Sequence, residues 1–128
     1  MRLDLNQKVN IPECRLQLEA KMLFKKPAHL QKKREDYVVL DCDQIRFPLL
    51  VRNRLPGDRF RPLGQPKPSK LKDFLINRKV PRERRHRLLI VLSDGRIIWI
   101  AGVGVSDEVK VTAKTNRFVK LEIKPSSP

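Results

Sequence analysis

Residues 88–101 read LLIVLSDGRIIWIA, two apolar runs on either side of Asp94-Gly95. Asp-Gly is suited to the two-residue turn whose twist matches that of paired strands, because both positions tolerate a positive φ. An antiparallel hairpin from Leu88 to Ala101 is therefore expected, with Trp99 in its second run buried in the core. Gly102 and Gly104 follow at once, and glycine in a strand pattern marks a bend or a bulge.

Other short elements surround this hairpin. Leu3 and Leu5, Leu16 and Leu18, and Tyr37–Leu40 place apolar side chains at a period of two, as half-buried strands do. Phe47–Val51 is a further apolar run in which Pro48 demands a sheet edge or a strand start. Val109, Val111 and Phe118–Ile123 complete the expected strands. In contrast, Leu71, Phe74 and Leu75 recur at i, i+3 and i+4, the apolar stripe of a helix, with Ser69 placed to cap it. Lys70 and Lys72 flank that stripe. Pro81 should end the helix and open a short second one at PRERRHR. Residues 25–36, with Pro27 and His29, have no apolar face and read as a solvated loop. At 128 residues, with 40% apolar and 34% charged residues, the chain suits one α+β domain. Residues 1–124 are assigned to it and residues 125–128 to a frayed tail.

The charge is unevenly distributed. Residues 52–87 contain 13 of the 29 Lys and Arg but 3 of the 14 acidic residues, so they supply +10 of the formal net charge of +15. That excess favours a polyanionic partner, with nucleic acid first. In the middle of it, Pro56-Gly57 forms a tight turn and Asp58 holds that turn or an arginine.

Catalytic and metal chemistry find little support in the residues. Cys14 and Cys42 lack neighbours at metal-ligand spacing and read as buried reduced thiols. The five glycines form no phosphate-cradling loop ahead of a helix. No hydroxyl or thiol nucleophile has a convincing base, with His29 in a polar loop and His86 among arginines. No apolar run reaches the ~20 residues needed to span a bilayer, and the N-terminus lacks the apolar core of a secretory signal. A cytoplasmic binding module, with no catalytic or metal residues and no membrane partner, is the expectation. The residues leave open a general RNA-binding module such as a ribosome-associated protein, or one that meets acidic proteins or a membrane surface.

The segments FPLLVRNRLPGDRFRPLG (47–64), SKLKDFLINRKVPRERRHRLLIVLSDGRIIWIAG (69–102) and SDEVKVT (106–112) resemble the C-terminal domain of bacterial tRNA(Ile)-lysidine synthetase. The combination of PGDRF, LKDF, a VPR turn and W-I-A-G is much more specific than any one piece. The resemblance implies a β-sandwich-like α+β domain with one or two short helices, related to a domain of the phenylalanyl-tRNA synthetase β chain. It implies that the domain grips the acceptor stem of tRNA(Ile), while an ATP pyrophosphatase domain, whose signature loop is not in this sequence, converts the wobble cytidine to lysidine with lysine, ATP and Mg. Homo-oligomerisation of that whole enzyme is left open.

Carried over residue by residue, the resemblance assigns RNA contact to Arg52, Arg54, Arg59, Arg61, Lys70, Lys72 and Arg82, and a turn role to Gly57 and Asp58. Phosphate and ribose are the expected targets, since duplex RNA is read mostly by shape and backbone. The chain departs from the family pattern at QPKP (65–68), where many members have a glycine-rich loop, and at Gly104, where many have a basic residue.

Overall fold

The computed structural model describes residues 1–26 and 36–126. The expected loop at 25–36, including His29, thus lies largely outside the described residues. In chain order the elements are β1 (Arg2–Leu3), β2 (Gln7–Ile11), β3 (Leu16–Leu23), β4 (Tyr37–Asp41), β5 (Leu49–Arg52), β6 (Arg59–Phe60), β7 (Ser69–Lys70), α1 (Leu71–Asn77), α2 (Arg82–Arg85), β8 (Ile90–Ser93), β9 (Arg96–Ile100), β10 (Gly104–Val105) and β11 (Phe118–Pro125).

The strands form a five-stranded sheet in the order β1-β5-β8-β9-β10, a four-stranded sheet β2-β3-β11-β4 and the small pair β6-β7. All pairings are antiparallel. Leu3, Leu49, Val51, Val91 and Trp99 from the first sheet meet Leu18, Ala20, Leu40, Val119 and Leu121 from the second in one core. The opposite face of the five-stranded sheet, with Ile90, Leu92, Ile97 and Ile100, packs under Leu71, Phe74 and Leu75 of α1 and under Phe60. This is the expected β-sandwich-like α+β architecture, with the helical layer on the side that carries the basic segment.

The central hairpin forms as expected, with Asp94 at φ 52° and Gly95 at φ 81° in its turn. Its strands are apolar at consecutive positions because both faces of this sheet are covered. A bulge refines the arrangement: Val91 opposes Trp99, whereas Leu92 opposes Ile97. The extra residue lets Ile98 and Trp99 both enter the sandwich core while Ile97 and Ile100 both face the helices. Trp99 is 3% exposed.

Several local expectations are corrected by tertiary contacts. Ser69 does not cap α1. It lies in β7, Lys70 occupies the cap position without a side-chain bond, and the Leu71 amide donates instead to the Asp58 carbonyl at 2.9 Å. Nor does Pro81 stop α1, which ends at Asn77. Lys79 takes φ 57°, its amide donates to the Ile76 carbonyl, and the Val80 amide donates to the Leu75 carbonyl. This is the reverse-turn ending usually supplied by glycine, held here by Val80 and Leu75 in the same buried cluster. Pro81 caps α2 from outside its first turn.

Val109 lies in a 3-10 turn (Asp107–Val109) rather than a strand, yet it is fully buried, and Val111 joins no strand. Cys42 is buried, but Cys14 is only half-buried. Pairing of β11 runs to Pro125 opposite Leu16, and the Ser126 amide donates to the Arg15 carbonyl, both within the stretch assigned to the tail.

Candidate nucleic-acid interface

The basic segment crosses from the end of β5 through both helices, and Asp58 organises its first part. Pro56 and Gly57, at φ 86°, form a turn closed by the Asp58 amide to the Leu55 carbonyl at 3.2 Å. The Asp58 carboxylate accepts from the Leu55 amide at 2.8 Å and from both terminal nitrogens of Arg52 at 2.9 Å. Together with the Leu71 amide on its carbonyl, Asp58 thus joins sheet, turn and helix. Burial alone raises the Asp58 carboxyl, but the Arg52 and Leu55 hydrogen bonds and the charges of Arg52 and Arg54 outweigh it. The group titrates below the ordinary aspartate range. Arg52, expected to meet RNA, thus also holds the fold together through Asp58.

Arg61 has such a role as well. Its Nε donates to the Gln65 carbonyl at 2.7 Å and its guanidinium pairs with Asp107 at 3.1 Å. Asp107 also accepts from the Gly64 amide at 3.0 Å and from Lys110 at 2.9 Å, contacts that hold its carboxyl below the usual range. These bonds pin the loop that departs from the family pattern at 65–68. Arg59, which is exposed, donates to the Pro68 carbonyl at 3.4 Å and closes the loop from the other side. The second departure also has a local reason. A Cβ on Gly104 would lie 2.8 Å from Cζ of Phe74, whose ring packs edge-on against Phe60 at 4.9 Å and lies under Arg78.

The remaining predicted residues converge. Arg54, Gly57, Asp58, Lys70, Lys72 and Arg82 line one cleft of about 670 Å³, together with Leu55, Pro56, Leu71, Arg85 and His86. Three chain segments build it: the 54–58 turn, the start of α1, and α2. The side chains of Arg54, Lys70, Lys72 and Arg82 form no hydrogen bond or close ion pair among the described residues, although the charge of Arg54 also acts on Asp58. Asp58, the cleft's carboxylate, is already neutralised by Arg52. Arg85 donates through Nε to the Val80 carbonyl at 2.9 Å, which aims the rest of its guanidinium.

Arg85 and His86 also line this cleft, and the sequence carries a signal for them: with Arg82 they stand at i, i+3 and i+4 on one helical face. Arg84 and Arg87 face a smaller cavity on the other side of α2. Among the described residues, no three His, Cys, Asp or Glu cluster to hold a metal ion. No helix among the described residues is long and apolar enough to cross a membrane.

A model of the family described as TilS substrate C-terminal domain matches residues 49–122, over half of the chain. The chain belongs to this family. Within it, the chain is similar to tRNA(Ile)-lysidine synthase of Dehalococcoides mccartyi, with 36% identity over 66% of this chain and 18% of that protein. It is likewise similar to the tRNA(Ile)-lysidine synthase of Caldanaerobacter subterraneus, with 38% identity over 64% of the chain and 18% of that protein. The chain thus spans under a fifth of the length of these relatives. A crystal structure of a TilS C-terminal domain superposes with a TM-score of 0.80 at 28% identity, covering 98% of this chain and 95% of that one.

The TilS C-terminal fold extends to an N-terminal fragment of the phenylalanyl-tRNA synthetase β-subunit from Pyrococcus horikoshii. That fragment shares 20% identity and a TM-score of 0.55 over 66% of this chain and 27% of that one, a likeness of fold alone.

Proposed function

We propose that this domain binds tRNA(Ile) on its acceptor stem and so positions it for a lysidine-forming catalytic domain that uses ATP, Mg and lysine. The observation that carries this reading is the convergence in one cleft of Arg54, Lys70, Lys72 and Arg82, whose side chains have no hydrogen-bond or close ion-pair partner among the described residues. Unpaired cations in a compact body repel one another, and phosphate relieves that repulsion while releasing counterions. The names of the family's relatives supply tRNA(Ile) as the partner, and a cytoplasmic location accords with such a substrate. The chain's own contribution is binding, since the residues of the cleft offer phosphate contacts and no nucleophile paired with a base.

Filter binding at two salt concentrations tests this, with intact tRNA(Ile), its isolated acceptor stem and an unrelated RNA duplex of equal length. Preference for the tRNA and its stem, with affinity falling as salt rises, is expected. Equal binding to all three would make the domain a general RNA-binding module.

A further inference from the structure

We infer that the cleft between the Leu55–Asp58 turn and α2 is a terminal-phosphate site, which takes the 5′-phosphate monoester at the end of an RNA duplex. The inference rests on the stem-binding reading and specifies what enters this cleft. Shape is the first argument. Phosphates within a duplex lie along the outside of a rod and are reached from an open surface or groove, whereas Arg54, Lys70, Lys72 and Arg82 line a recess walled by three chain segments. A phosphodiester is tethered on both sides, so it enters a recess less deeply than an end phosphate, which hangs on one ester bond.

Charge gives the second argument. A monoester carries close to two negative charges and three free acceptor oxygens, against one charge on a diester. Five fixed cations line the cleft once Arg85 is included, and its carboxylate, Asp58, is bound to Arg52 at 2.9 Å. That supply exceeds the single charge of a diester and covers the three charges of a dianion together with the phosphate next to it. The third argument is apolar. Leu55 is 53% exposed beside Pro56 on the same cleft. An exposed leucine at the mouth of a basic recess fits the flat, apolar face of a terminal base pair better than the polar edge of a groove.

The test uses the whole chain and one acceptor-stem duplex prepared with a 5′-phosphate or a 5′-hydroxyl. The phosphorylated duplex should bind about tenfold more tightly, the effect of one set of charge-assisted hydrogen bonds. Lys72→Ala and Arg82→Ala should bring the two duplexes to within about twofold of each other. Lys114→Ala should leave the ratio intact. Orthophosphate should weaken the phosphorylated complex to the level of the hydroxyl duplex and leave the latter unchanged.

Equal affinity of the wild type for both ends, with Arg82→Ala weakening both, would overturn the terminal-phosphate site and leave backbone binding standing. The site would be overturned equally if the preference survived in both cleft variants, or if orthophosphate displaced both duplexes to the same extent. No binding to either duplex at low salt would overturn the stem-binding reading itself.

Discussion

Arg52 grips both carboxylate oxygens of Asp58 at 2.9 Å, with 24% and 10% of their side chains exposed. The pair holds the turn against the sheet, so its loss acts on stability before it acts on binding. Arg52→Ala should destabilise the domain by about 1–3 kcal/mol, because it leaves a largely buried carboxylate without its partner. Urea denaturation measures this, and an unchanged midpoint would show the pair to be dispensable.

The same contact sets a pH dependence. The folded-state pKa of Asp58 is depressed, so its contribution is present above the unfolded value near ~3.9 and is lost as pH falls through the folded one. Thermal melts from pH 7 downward should thus lose stability below about pH 4. Asp58→Asn should be less stable than wild type at pH 7 and show a smaller decline in that acid range. Parallel curves for the two proteins would remove Asp58 as the group responsible.

Cleft cations and fold cations should separate experimentally. Lys72→Ala and Arg82→Ala are expected to weaken RNA binding and to flatten the log–log salt slope by about 0.7–1 per phosphate contact, with melting temperature unchanged. Arg61→Ala should instead loosen the Gly64–Gln65 loop, seen as faster amide exchange there, with a smaller change in salt slope than either cleft variant. Matching slopes for Arg61→Ala and Lys72→Ala would mean that the basic segment acts as a diffuse field.

Gly104 faces a ring that has little room to move. Gly104→Ala should cost about 1–3 kcal/mol through overpacking against Phe74. The double variant with Phe74→Leu should lose less than the sum of the two single changes. Strict additivity would place the strain elsewhere.

Lys79 offers the opposite case. At φ 57° a lysine carries the left-handed penalty that glycine escapes. Lys79→Gly should therefore stabilise the domain by about 0.5–1 kcal/mol, read as a higher urea midpoint. A lower midpoint would show that the lysine side chain contributes more than its backbone strain removes.

Local pattern was enough for the elements whose causes are local. Asp94-Gly95 sets its turn through backbone freedom, Leu71, Phe74 and Leu75 make a helical face by spacing, and the density of Lys and Arg in 52–87 follows from composition alone. The family could be read from PGDRF, LKDF and VPR together, because their order and spacing carry more information than any element. Which arginines remain free could not be read in this way. Arg52, Arg54, Arg59 and Arg61 look equivalent along the chain, yet Arg52 closes on Asp58 and Arg61 on Asp107, while Arg54 faces the cleft. A guanidinium takes whichever carboxylate or carbonyl folding brings within 3 Å or so, and Asp107 arrives from a turn distant in sequence. The capping role expected of Ser69 failed for the same reason: the Asp58 carbonyl, delivered by the turn, reaches the Leu71 amide, and Ser69 is drawn into β7 opposite Phe60. Spacing along the chain determines faces and turns. Only the assembled sheets and helices decide which polar groups already satisfy one another and which are left for a partner.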